Sequence, residues 1–165
     1  MEKFISCGKC DDGFYYEGDY CRKCSCLKNY QSRISIQIGL SKANILDEEI
    51  PSLDKYKGSD VTGNLIKLRK YSEGILDRYA RNSHLYLVGP NGSQKTYTAK
   101  ALVKEAVSKG LSCKFIIMND LIRKLVDIYE EGYNESIEEY YKCNLLVIDD
   151  CFDPKKVTIF KSGYQ

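Results

Sequence analysis

Apolar positions are strongly periodic over the second half of the chain. Leu65, Leu68, Ile75, Leu76 and Tyr79 recur near helical spacing, with Gly74 as a weak point in the run. Leu85-Tyr86-Leu87-Val88 is a short apolar run closed by Gly89, the pattern of a buried parallel strand. Ala99, Leu102, Val103, Ala106 and Val107 follow at i, i+3, i+4, i+7 and i+8, which predicts a helix with one buried face ended by Gly110. Phe115-Ile116-Ile117-Met118 predicts a second strand. Asp120 is placed to cap a helix that turns Leu121, Ile122, Leu125, Val126 and Tyr129 inward. A further helix is predicted from Glu135 to Tyr141, and Leu145-Leu146-Val147-Ile148 is a third buried run that ends in Asp149-Asp150. Strands alternating with helices predict an α/β parallel sheet.

Upstream the pattern changes. Ile34, Ile36, Ile38 and Leu40 alternate with Ser35, Gln37 and Gly39, a strand-like period of two. Asp47-Glu48-Glu49-Ile50-Pro51 and Lys57-Gly58-Ser59-Asp60 read as linker with turns. Phe14, Tyr15, Tyr16 and Tyr20, broken by Gly13 and Gly18, predict a short hairpin. The division that results is residues 1–28 as a cysteine-rich module, 29–62 as a linker region and 63–165 as the α/β unit.

The chain has 165 residues, 43% of them hydrophobic, with a formal net charge of +2. A core is affordable, and the charge balance alone points to neither nucleic acid nor membrane. No run of about 18 apolar residues and no secretory leader is present, so the expectation is a cytoplasmic protein with reduced thiols. Eight cysteines in that setting are metal ligands or packing residues rather than disulfides.

Five of them crowd the first 28 residues. Cys7-Gly8-Lys9-Cys10 and Cys21-Arg22-Lys23-Cys24 are two C-x2-C knuckles, and each can set two sulfurs on one side of a tetrahedral zinc ion. Cys7, Cys10, Cys21 and Cys24 are therefore the expected ligands, with Cys26 able to replace Cys24. A closed four-sulfur shell is structural, and a segment this small needs the metal in order to fold.

Gly89-Pro90-Asn91-Gly92-Ser93-Gln94-Lys95-Thr96 lies between a predicted strand and a predicted helix, the setting of a Walker A phosphate loop. Backbone N–H groups and the helix dipole would hold the β-phosphate, Lys95 would reach the β- and γ-phosphates, and Thr96 would ligate magnesium. Gly89 to Thr96, with Tyr97 beside them, form the expected nucleotide site. Gln94 stands where the common pattern has its last glycine, whose role is to let the backbone approach the phosphates. Asp149 at the end of the third run reads as the Walker B residue and second magnesium group, and Asp150 as the residue that orients an attacking water. Lys95 and Asp150 are the catalytic candidates.

These features, with Met118-Asn119-Asp120-Leu121-Ile122 and the tyrosine-rich acidic stretch to Tyr141, resemble the DnaC/DnaI-type replicative helicase loaders of bacteria and phages. These are AAA+ P-loop ATPases related to IstB-type transposition helpers. The resemblance covers residues from about 45 to 165 and implies a partial AAA+ P-loop three-layer core with a parallel sheet, preceded by a small zinc-ribbon-like module. It also implies ATP, magnesium and zinc as cofactors, a hexameric replicative helicase as partner, single-stranded DNA as a second ligand and self-association through the core. Loaders of this type continue past Walker B with a sensor strand, an arginine finger, a second sensor and a lid. The strand after Walker B runs between the Walker A and Walker B strands. With the sequence ending at Gln165, the expectation is an incomplete core, a fragment or a natural truncation, with no assignable arginine finger. Two alternatives stand beside it: a zinc-dependent adaptor or antagonist with a degenerate phosphate loop, and a transposition helper.

His84, the single histidine, is read as neither ligand nor catalyst, and Cys113, Cys143 and Cys151 as packing residues. Tyr15, Tyr16 and Tyr20, near the knuckle lysines, are the tyrosines best placed to stack on bases.

Overall fold

The computed structural model describes residues 3–46, 51–56, 63–131 and 135–151. Most of the linker turns expected at 47–51 and 57–60, and the segment from Phe152 to Gln165, lie outside the described residues.

The head is a hairpin of β1 (Phe14–Glu17) and β2 (Tyr20–Lys23), antiparallel with Phe14 opposite Lys23 and Glu17 opposite Tyr20. Its two-residue loop places Gly18 at φ +60°, a left-handed value glycine takes freely. Both strands are exposed along their whole length, so no apolar core holds them.

The alternation of Ile34, Ile36, Ile38 and Leu40 does not make a strand. Residues Ser25–Lys42 form α1, an 18-residue helix. The reason lies in a second spacing in the same residues. Ile36, Gly39, Leu40 and Ala43 stand at i, i+3, i+4 and i+7, and this stripe packs on the larger α/β unit. A Cβ at Gly39 would overlap Val107 Cγ1, so glycine is what lets the two helices meet. The residues that follow α1 lie along the sheet: Phe115 N–H donates to Ala43 O at 2.9 Å, and Asn44 Nδ2 donates to Phe115 O and to the Tyr140 hydroxyl, each at 3.4 Å.

The larger unit runs through α2 (Asn64–Glu73), α3 (Ile75–Ala80), α4 (Lys95–Ser108), β3 (Cys113–Ile117), α5 (Met118–Glu131), α6 (Glu135–Lys142) and β4 (Leu145–Asp149). Gly74 breaks α2 from α3. Gly110, at φ +85°, closes α4 in a Schellman turn, with Leu111 N–H donating to Ala106 O and Gly110 N–H to Val107 O. Strands β3 and β4 are parallel, Cys113 opposite Leu145 and Ile117 opposite Asp149.

The sheet divides two clusters. On one face Cys113, Phe115, Leu145 and Val147 meet Leu40 and Ala43 from α1 and Ala99, Val103 and Ala106 from α4. On the other, Ile116 and Ile148 meet Leu121, Ile137 and Tyr140. Helices on both faces of a parallel sheet give the three-layer α/β arrangement. Each large aliphatic side chain taken fully from water here contributes about 1.5–3 kcal/mol, so these clusters carry the stability of the unit.

Three expectations are corrected. Leu85–Val88 forms no strand among the described residues, and Tyr86 and Val88 are 80% and 94% exposed. Among the described residues, β4 pairs with β3 alone. Asp120 is not a cap, because α5 begins at Met118, directly after β3. Of the apolar stripe on α5, Leu121 packs inward, while Ile122, Leu125 and Val126 stay open to solvent.

Candidate nucleotide site and metal centre

The phosphate loop spans Gly89–Gln94, between the Leu85–Val88 segment and the first residue of α4. A Cβ on Gly89 would come within 2.8 Å of Ser93 Oγ, so a larger residue there would have to push the Ser93 hydroxyl aside. Gln94 takes φ +60° and ψ +28°, the left-handed conformation that the usual glycine adopts without strain. The loop keeps its backbone shape with a side chain in this position, at a cost of about 1 kcal/mol.

Lys95 Nζ lies over the loop and donates to Gly89 O and Pro90 O, both at 2.9 Å. Ser93 Oγ is buried and has no hydrogen-bond partner among the described residues. A phosphate oxygen within the loop could satisfy it, and Lys95 is within its own reach of the same space. Thr96 Oγ1 donates to Asp149 Oδ2 at 2.7 Å, joining groups 53 residues apart. A hydroxyl and a carboxylate are thus adjacent at the end of the loop, two oxygen groups of the kind that could hold one divalent cation. Asp150 follows at the strand end, exposed and at φ +52°. Tyr97 turns away from the loop, and its hydroxyl bonds both main-chain groups of Ser52. His84 is exposed before the Leu85–Val88 segment, outside this group. Cys151 donates to Ile148 O at 3.1 Å; burial pushes its thiol up, and the Asp149 carboxylate adds to that.

The metal centre gathers Cys7, Cys10, Cys24 and Cys26, whose sulfurs all lie within 4.8 Å of one another. The close pairs are Cys7–Cys24 at 3.7 Å, Cys7–Cys10 at 3.8 Å and Cys10–Cys26 at 3.4 Å. Ligands about 2.3 Å from a tetrahedral zinc stand about 3.8 Å apart, so the four sulfurs fit that ion. Both Cys24 and Cys26 belong to the group, and Cys21 does not. Cys21 sits on β2 opposite Tyr16, exposed on the hairpin.

Local geometry explains the choice. Asp11 and Phe14 exchange two backbone bonds of 2.8 Å, and Cys24 N–H donates to Gly13 O at 2.7 Å. Gly13, at φ +89°, lies so close to Leu27 that a Cβ would approach its side chain to 2.8 Å. The chain then turns into α1, with Cys24 as its N-cap and Cys26 in its first turn. Thiolates at a helix N-terminus are favoured by its unbonded N–H groups. The Cys26 backbone N–H is the main cause that holds the Cys24 thiol down to about 6, helped by the Cys26, Cys7 and Cys10 thiols. Burial pushes Cys26 up to about 12, with the Cys10 and Cys24 thiols adding. The other cysteines pack: Cys113 is buried, which pushes its thiol up to about 12, and Cys143 donates to Tyr140 O at 3.2 Å.

No described helix is long and apolar enough to cross a membrane. No curated protein and no solved structure matches the chain. A family model described as IstB-like ATP binding protein matches residues 69–153, more than half of the sequence, and spans the phosphate loop, Thr96 and Asp149. With an ATP-binding P-loop of the AAA+ kind shown by that match, the chain belongs to the family of IstB-like ATP binding proteins.

Proposed function

We propose that this protein is a helicase loader: its core binds ATP with magnesium, and its zinc-bound head docks a replicative helicase. The observation that carries the reading is α1. Its N-cap and first turn supply two of the four thiols, and its last turns pack against α4, the helix that Lys95 opens. A single helix therefore connects the metal centre to the nucleotide site. Zinc would hold the head's fold through Cys7, Cys10, Cys24 and Cys26. Magnesium would be held by Thr96 and Asp149, and Lys95 would carry the phosphate charge. Asp150 is the group assigned to orient an attacking water.

Immobilised zinc-loaded chain, given host lysate with ATP and magnesium, should retain a replicative helicase, and Cys10→Ser should abolish that retention. Retention of a transposase with double-stranded DNA would replace the loader with a transposition helper. A second reading, an adaptor with a degenerate phosphate loop, is favoured by Gln94 and by the Lys95 amine bonded to its own loop. Calorimetry separates the two, since an adaptor shows no heat of ATP binding.

A further inference from the structure

The segment before the first knuckle and the start of α1 leave a groove between them. Along α1, Cys26, Asn29, Tyr30 and Arg33 stand at i, i+3, i+4 and i+7, which sets them on one face of the helix. With Lys3, Phe4 and Ile5 they line an open hollow of about 610 Å³. Binding clefts run to ~300–1,000 Å³, so this one has room for side chains of a partner. The rings of Phe4 and Tyr30 meet at 5.2 Å between centroids, tilted by 59°, a packed aromatic pair. Ile5 lines the same groove and is 83% exposed. Lys3 and Arg33 are exposed in it too, and none of the lining residues carries a carboxylate.

That lining selects its occupant. The apolar part is completed by an apolar side chain, and the two cations by negative charge beside it. A nucleic-acid strand brings a phosphate with every nucleotide and needs a track of cations with open ring faces for its bases. The head offers neither. Phe4 and Tyr30 pack on each other. Residues 3–33 carry six lysines and arginines, offset by four carboxylates (Asp11, Asp12, Glu17 and Asp19) and by the thiolates of the metal centre. A peptide with one apolar anchor and one or two carboxylates asks for no more charge than Lys3 and Arg33 supply.

We infer that this groove docks a short acidic segment of a partner protein, with an apolar side chain on Phe4, Ile5 and Tyr30 and carboxylates against Lys3 and Arg33. The inference rests on the reading of the head as a docking module and names the surface that it uses. Cys26 lines the groove, and Cys7 follows Ile5 by two residues, so both walls are tied to the metal centre.

The zinc-loaded full chain, titrated with defined peptides and followed by fluorescence anisotropy, tests this. The probe is Asp-Asp-Leu-Phe-Asp; one control carries Asn for every Asp, and another carries Ala for Leu and Phe. The probe should bind, and each control should bind roughly tenfold more weakly or worse. Arg33→Glu and Ile5→Ser, both at exposed positions, should each weaken the probe by roughly tenfold, with zinc content unchanged. On the unaltered chain, the probe should shift the amide resonances of residues 3–5 and 29–33. Equal binding of probe and controls, indifference to both variants, or shifts confined to other residues would overturn the inference. Displacement of the probe by oligothymidylate would overturn it too and make the groove a nucleic-acid site. A chain that binds the probe here yet retains no helicase from host lysate would remove the loader reading and leave the groove standing. A chain that retains helicase and does not bind the probe would overturn the groove alone.

Discussion

The head and the core of this protein are held together by different physics. Among described residues 3–23, every residue of the hairpin is exposed, and beyond Gly13 the head buries little except Cys24 at α1's cap. The core, by contrast, fully buries Val103, Ala101 and Ala106 and divides its apolar residues between two faces of a sheet. The head can be stable only as far as a metal links its four thiols, while the core needs no ion to pack. The difference shows that one chain can carry a module built by coordination and a module built by burial, provided that one element belongs to both. Here α1 is that element: thiol ligands at one end and core residues Leu40 and Ala43 at the other.

The sharpest break of the comparison is metal removal. Chelation, or Cys10→Ser, should unfold the hairpin and fray the first turns of α1, read as lost helix signal and fast amide exchange below about residue 35, while the core's melting transition stays. Loss of the core together with the head would mean that the two are not held separately. Next in size is Lys95→Ala. It should lower ATP affinity roughly tenfold to a hundredfold, the worth of a charge-assisted bond set, and leave zinc content at one per chain. Gly39→Ala attacks the shared element. Its methyl meets Val107, so about 1–3 kcal/mol of stability should be lost by denaturant titration, and Val107→Ala in the same chain should recover part of it. Gln94→Gly should raise stability by about 1 kcal/mol by relieving the left-handed backbone, with the head unaffected. The smallest effect belongs to Cys21→Ser, which should change neither zinc content nor stability; a lost zinc would restore Cys21 to the shell.

Much of the core could be read from the residues. The phosphate loop depends on local spacing and context, and its neighbours in the chain specify it. Asp149 was identifiable because an apolar run ends there, and the fold brings it to Thr96. The elements that escaped the sequence reading are those decided by contact at a distance. Ile34 to Leu40 satisfies a period of two and a period of 3.6 at once, and only the face of α4 around Val107 selects the helix. Leu85–Val88 has the composition of a central strand, but a strand also needs a neighbour with free N–H and C=O groups, and composition cannot supply one. The choice between Cys21 and Cys26 turned on where the hairpin stops. Strand pairing through Lys23 keeps Cys21 on the hairpin beside Tyr16, while the start of α1 at Ser25 swings Cys24 and Cys26 together. The C-x2-C spacing was a sound sign of a metal centre and an incomplete guide to its membership.

Native mass spectrometry of the full chain, purified with zinc and given magnesium-ATP, tests most directly that these are two sites held in two ways. The account predicts one zinc and one nucleotide per chain, with Cys10→Ser losing only the zinc and Lys95→Ala losing only the nucleotide. A chain that takes up no nucleotide, or a Cys10→Ser variant that keeps its zinc, would contradict it.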